Sequence, residues 1–211
     1  MKGLIIKDFC LVKGYCKYYI LLMAAFSLFS LFSEQSYWTI FPCIYAGLIP
    51  MTLQAYDERE HWTAFSGALP YTKAQLVSAK YIDGLIYGGV TFAVNMILQL
   101  IKALASGNAE PGRLTGILCF SFAAMLLPVA VMLPFVFRFG TEKGRIMSIM
   151  VIALVIGVTS AASFAPDAGV VTSEGAGTAV GAVLALLPVI SAVIYAASWL
   201  LSIKLYNKRE I

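Results

Sequence analysis

Residues 114–137 read LTGILCFSFAAMLLPVAVMLPFVF, an apolar run that contains no charged residue and is bracketed by Arg113 and Arg138. A segment this uniformly apolar has no face to offer water. As an α-helix, at about 1.5 Å per residue, it is long enough to cross the roughly 30 Å hydrocarbon core of a bilayer. It lacks the alternation of a barrel strand, and a spanning segment must satisfy its own backbone hydrogen bonds, so a helix is the expected form.

Five further runs stand between the charges: Tyr18 to Ser33, Tyr37 to Tyr56, Tyr81 to Ile101, Ile146 to Ala165 and Ala179 to Ile203. Most are about 20 to 25 residues, while the first is short and is expected to borrow from the segment before it. The 211-residue chain is 60% hydrophobic and 12% charged, with a mean hydropathy of +0.85. Soluble domains carry about 25% charged residues. The expected fold is therefore an all-α integral membrane protein with six transmembrane helices, residues 1–211 forming one transmembrane domain with no nucleotide-binding domain. Asp83 is the one charge inside a run, placed near its start where a headgroup or water is expected to reach it.

The basic residues orient the chain. Of its 15 Lys and Arg, all but Lys102 and Arg113 lie before the first run, after the second, after the fourth or after the sixth. The positive-inside rule then puts both termini in the cytoplasm, and the net charge of +4 is a topology signal rather than a nucleic-acid footprint. No removable signal peptide is read at the start. Cys10, Cys16, Cys43 and Cys119 are scattered, which suggests neither a disulfide framework nor a zinc site, and His61 is the sole histidine.

Before the first span, Lys2 to Tyr19 reads as an amphipathic helix lying on the membrane. At about 100° per residue, Lys2, Lys13 and Lys17 share one sector with Lys7 further round, and Leu4, Ile5, Phe9, Val12, Tyr15 and Tyr19 occupy the opposite half, interrupted by Asp8. The outer connections, Glu34 to Ser36, Ser106 to Gly112 and Pro166 to Thr178, are small. The inner one, from Asp57 to Lys80, is the longest charged break in the chain. Leu69-Pro70 ends whatever helix precedes it, since a residue before proline is pushed out of the helical region. Thr72-Lys73-Ala74-Gln75 has the form of a capping box, so a new helix is expected to start at Lys73 and run into the third span.

Chemistry is scarce. No phosphate-cradling Gly-x-x-x-x-Gly-Lys-Ser/Thr loop is present, and the spans offer neither a nucleophile with a base nor a set of metal ligands. A secondary carrier would show ionisable residues near the midplane and a repeated half. Asn95 and Gln99, four apart on one face of the third span, either bond between helices or line a substrate path. Gly84-Leu85-Ile86-Tyr87-Gly88 and Gly177-Thr178-Ala179-Val180-Gly181 allow close helix approach. Pro128 and Pro134 are expected to bend the fourth span.

With this layout the chain resembles the small six-span permease subunits of type-2 ABC exporters, which work with a separate ATPase. The resemblance runs along nearly the whole length. It begins with the basic amphipathic start and Asp57-Glu58 with Trp62 nearby. It continues through Ala68-Leu69-Pro70-Tyr71-Thr72-Lys73 to Lys80-Tyr81, and then Phe137-Arg138-Phe139-Gly140-Thr141-Glu142-Lys143-Gly144-Arg145. The chain looks most like permeases of phenol-soluble modulin exporters, with relatives that serve antimicrobial peptides or small drugs.

The resemblance implies a multi-pass protein of the cell membrane that forms a path for amphipathic peptides or hydrophobic small molecules. It is a transporter subunit and not an enzyme, with ATP and magnesium bound by the partner and no cofactor on this chain. It implies a second permease copy, identical or sister. It also makes the loop between spans 2 and 3 a cytoplasmic coupling helix that docks on the ATPase through Asp57, Glu58, Arg59, Glu60, His61, Trp62, Phe65 and Leu69. The carboxylates would offer an acidic patch and the aromatic rings would anchor it. A membrane partner that recruits a cytoplasmic protein without transport, and a secondary carrier, are the alternative readings.

Overall fold

A computed structural model of the chain describes residues 2–33, 36–62, 65, 71–106, 111–144, 146, 149–150, 153 and 178–207. Its elements, in order, are α1 (Lys2–Tyr15), α2 (Lys17–Phe32), a 3₁₀ turn (Ser36–Thr39), α3 (Ile40–Arg59), α4 (Lys73–Ser106), α5 (Pro111–Phe139) and α6 (Thr178–Asn207), with no strand among the described residues. Most of the expected fifth span (146–165), Leu69-Pro70 and most of the outer connections lie outside the described residues.

Among the described residues, three helical stretches are long and apolar enough to cross a membrane: Lys73–Ala105 in α4, Leu114–Phe139 in α5 and Leu186–Tyr206 in α6. A fourth is obtained if α1 and α2 count as one span, but they meet at 75°. The chain turns at Cys16, between α1 and the 16 residues of α2. α3 has the length of a span at 20 residues, but Pro42, Pro50, Gln54 and Asp57 make it more polar than the other three.

The surface is the reverse of a soluble protein's. Ile86, Val90, Val94, Ile97, Ile101 and Leu104 make an exposed apolar stripe along α4, while Asp8, Asp57, Lys80, Asp83, Asn95 and Gln99 are buried. In water this arrangement would waste the hydrophobic effect and strand the charges. In lipid it is the economical one, with ionisable groups turned into the bundle.

α3 lies between α2, α5 and α4, and α6 packs along α5 and α4. Small residues set the closest approaches. A Cβ on Gly84 would lie 3.1 Å from Val129 Cγ1 and 3.3 Å from Pro50 Cγ, and one on Gly47 would lie 3.1 Å from Pro128 Cβ. α5 is assigned as continuous helix through Pro128 and Pro134.

Hydroxyl groups tie α6 to its neighbours. Ser198 Oγ donates to the Ala130 carbonyl at 2.5 Å. Its single proton is thereby used, so Tyr81 Oη donates to Ser198 at 2.8 Å and accepts from Ser202 at 2.7 Å. Tyr195 Oη donates to the Tyr81 carbonyl at 2.6 Å. The Trp199 ring lies parallel to that of Tyr81 at 5.6 Å, and its Nε1 donates to Ser78. At the other end of α4, Lys102 Nζ donates to the carbonyls of Ser30 and Ser33. A cation there satisfies the last carbonyls of α2 and complements the negative end of its dipole.

Candidate functional site

The ionisable groups gather where α1 crosses the C-terminal end of α3 and the N-terminal part of α4. On α1, Leu4, Asp8 and Val12 recur every four residues and form its buried stripe, so the acid that interrupts the apolar face of this helix is drawn inward. α3 contributes Asp57 from its last turn. α4 contributes Lys80 and Asp83, three apart and hence on one face.

Lys80 Nζ lies 2.8 Å from Asp8 Oδ2 and 2.7 Å from Asp57 Oδ2, and Lys7 Nζ lies 2.6 Å from Asp57 Oδ1 and 3.1 Å from Asp8 Oδ1. Three helices are thus joined through two ammonium groups. Asp8, Asp57, Lys80 and Asp83 are all nearly inaccessible, whereas the Lys7 side chain remains 23% exposed. Burial on its own raises the Asp8 carboxyl, but Lys80, Asp83 and Lys7 outweigh it and hold that carboxyl below the ordinary carboxylate value. A cavity of about 20 Å³ opens among Lys7, Asp8, Gln54, Asp57, Trp62 and Lys80, enough for one water.

Asp83 is 1% exposed and touches Asp8. The expectation that water or a headgroup reaches it is thereby corrected: α1 lies over the position and closes it off.

The residues beyond Asp57 divide between inward and outward roles. Glu58 Oε2 accepts from Thr141, both from its backbone N–H at 3.0 Å and from its hydroxyl at 2.6 Å. The chain reaches that point through Gly140, whose φ of 85° is open to glycine, and a helical turn follows over residues 141–144. α3 ends at Arg59 with Glu60 as its C-cap, and His61 follows in the left-handed region at φ 54°, a common way for a helix to stop. Arg59, Glu60, His61 and Phe65 are exposed. Trp62 is half-buried, its ring 5.4 Å from that of Phe65 and 4.4 Å from Lys7 Nζ. Of the three carboxylates expected to form an acidic patch, Asp57 is ion-paired inside and Glu58 is engaged with Thr141. Glu60 is the one that faces out. Leu69 lies outside the described residues.

The capping box is present as read: Thr72 N–H donates to Gln75 Oε1 at 3.1 Å, Gln75 N–H donates to Thr72 Oγ1 at 3.3 Å, and α4 begins at Lys73. Asn95 and Gln99 are both buried. Gln99 Nε2 donates to Thr39 Oγ1 at 2.7 Å, and Asn95 Nδ2 returns to the Thr91 carbonyl of its own helix at 2.9 Å.

Lys7, Asp8, Lys80, Asp83 and Thr141 were not among the residues expected at the site. The available signal was a pair of misplaced acids, Asp8 on an apolar face next to Lys7, and Asp83 in an apolar run three residues after Lys80. Asp8, Asp57 and Asp83 share their site with two ammonium groups, and among the described residues no set of three or more His, Cys, Asp or Glu is grouped to hold a metal ion.

The chain matches a family model described as ABC-2 family transporter protein over residues 3–207. No curated protein and no solved structure matches it. Since the family match extends from the start of α1 to the end of α6, this apolar helical chain belongs to the ABC-2 family as a membrane component of a transporter.

Proposed function

We propose that the chain is the permease subunit of an ATP-driven exporter, with six spans in the cell membrane, both termini in the cytoplasm and the segment after α3 resting on a separate ATPase. The observation that carries this reading is the position of Lys7. Its ammonium group meets the Trp62 ring at 4.4 Å on one side and Asp57 at 2.6 Å on the other. A push on Trp62 and Phe65 would pass through Lys7 into α1, and through Asp57 and Lys80 into α4. Glu58 and Thr141 would carry the same push to the end of α5.

The docking surface in this proposal is Arg59, Glu60, His61, Trp62 and Phe65, with Leu69 beyond. Asp57 and Glu58 act behind it as the link to the spans. Two permease copies enclose the path, and the cargo class is amphipathic peptides or hydrophobic small molecules. The apolar exposed stripes of α4 and α6 agree with a path formed between subunits rather than through one, as they leave each helix a face to lend.

The test is co-expression with a candidate ATP-binding cassette subunit, purification by a tag on the permease and measurement of cargo uptake into inside-out vesicles. Replacing Glu60 by Lys together with Phe65 by Ala should release the ATPase while the permease still accumulates. Uptake driven by an ion gradient in the ATPase's absence would instead identify a secondary carrier.

A further inference from the structure

Five ionisable side chains meet at the α1 end of the bundle, and their charges do not balance when each is in its ordinary state. Lys7 and Lys80 bring two positive charges, and Asp8, Asp57 and Asp83 bring three negative ones. Four of the five are nearly inaccessible. A net charge confined to such a site is expensive, because burial removes most of the hydration that would stabilise it. Two oxygens identify where the imbalance lies. Asp83 Oδ2 has no hydrogen-bond donor, and neither does Asp8 Oδ1, whose 3.1 Å approach to Lys7 lacks hydrogen-bonding alignment. These two carboxyls are the pair that touch each other. Two carboxylates in contact repel, whereas a carboxylic acid beside a carboxylate makes a short, charge-assisted hydrogen bond.

We propose that Asp8 and Asp83 bind one proton between them, and that this proton, by making the five-membered charge cluster neutral, latches α1 onto α3 and α4. The groups facing the pair support that state. From α1 comes Lys7, from α3 Asp57 through Lys80, from α4 Lys80 and Tyr87, and from α6 Tyr195, whose hydroxyl is already spent on the Tyr81 carbonyl. The two cations are shared with Asp57, so neither is free to neutralise Asp83. Loss of the proton leaves two adjacent carboxylates and an unbalanced negative charge, and the helix that relieves this most cheaply is α1, a single interfacial element. The latch is fastened at neutral pH and released as the pH rises.

Infrared spectroscopy of the full-length chain in lipid nanodiscs, with aspartate labelled at its side-chain carboxyl, tests this directly. At about pH 7 the wild type should show a protonated-aspartate C=O band, which fades by about pH 9 as the protection of α1 against hydrogen exchange, relative to the intrinsic rate at each pH, falls. The band should be absent from Asp83→Asn, and α1 of that variant should stay protected across the same range, because the amide stands in for the neutral acid. Its melting temperature should change little with pH, against a fall of about 3 °C or more for the wild type. A wild-type spectrum without the band at neutral pH would overturn the proposal, and this reading needs no variant to fold. A band that persists in Asp83→Asn, or α1 protection independent of pH in the wild type, would overturn it equally.

Discussion

Glu58 at the end of α3 holds Thr141, 83 residues away, by two hydrogen bonds to one carboxylate oxygen: 3.0 Å from the backbone N–H and 2.6 Å from the hydroxyl. A carboxylate that accepts twice at the start of a helical turn both neutralises free N–H groups and fixes where the chain leaves α5. Thr141→Val keeps the shape and removes the hydroxyl. It should cost about 1.5 to 3 kcal/mol, as for a hydrogen bond to a charged group. Glu58→Gln should cost a similar amount, and the double variant should cost clearly less than the sum, since both changes break one contact. Thermal unfolding of the four proteins in detergent measures the coupling. Strict additivity would mean that the two residues do not act on each other in the membrane protein.

The glycines of α4 offer a sharper contrast because one helix contains opposite cases. A Cβ on Gly84 would press on Val129 and Pro50, a β-branched side chain and a ring that have little freedom to rotate away. Gly84→Ala should therefore destabilise by about 1 to 3 kcal/mol. A Cβ on Gly89 meets nothing within 4 Å, so Gly89→Ala should stabilise by about 0.5 to 1 kcal/mol through helix propensity alone. Melting temperatures that move in the same direction for both would show that α4 is not packed as described.

Much of the fold was legible because it depends on local pattern. The apolar runs announce α4, α5 and α6, and Thr72 with Gln75 announces the first residue of α4, since a capping box is closed by side chains three apart. The site was less legible, because its groups come from α1, α3 and α4 and no local rule pairs Asp8 with Lys80, 72 residues away. Asp57 shows the difficulty best. Beside Glu58 and Glu60 it reads as part of an outward acidic patch, but its place in the last turn of α3 points it at Lys7 and Lys80. Gln99 was readable as either a packing contact or a path-lining group, and only the position of Thr39 gives it a partner.

Acid should loosen α1 for a reason separate from the shared proton. The Asp8 carboxyl is raised by burial and lowered more strongly by Lys80, Asp83 and Lys7, with a net fall below its ordinary value. A carboxyl depressed in the folded state contributes stability that is complete above its unfolded pKa of about 3.9 and is lost as pH falls through the folded value. Lowering the pH from about 5 to about 2 should therefore reduce the protection of α1 against hydrogen exchange before that of α5. In Asp8→Asn, α1 should exchange faster at neutral pH and respond less to acid. An α1 whose protection falls equally in both proteins would assign the acid response to another group.

The largest effect should come from Lys80. Its ammonium group sits between Asp8 and Asp57 with a side-chain exposure of only 5%, so Lys80→Met leaves two desolvated carboxylates with Lys7 as their remaining cation. Breaking a buried pair by removing one member costs about 3 to 5 kcal/mol, because the charge left behind has no compensation. Lys7→Met should cost less, since its side chain is 23% exposed and water takes over part of its role. The discriminating variant is Lys80→Met combined with Asp57→Leu. If the penalty is chiefly that of a stranded charge, removing one carboxylate with its cation should recover a large part of the lost stability despite adding a second substitution. Accumulation in the membrane and unfolding in detergent report the order of the four proteins. A double variant less stable than Lys80→Met would mean that Asp57 contributes through packing against α1 rather than through its charge.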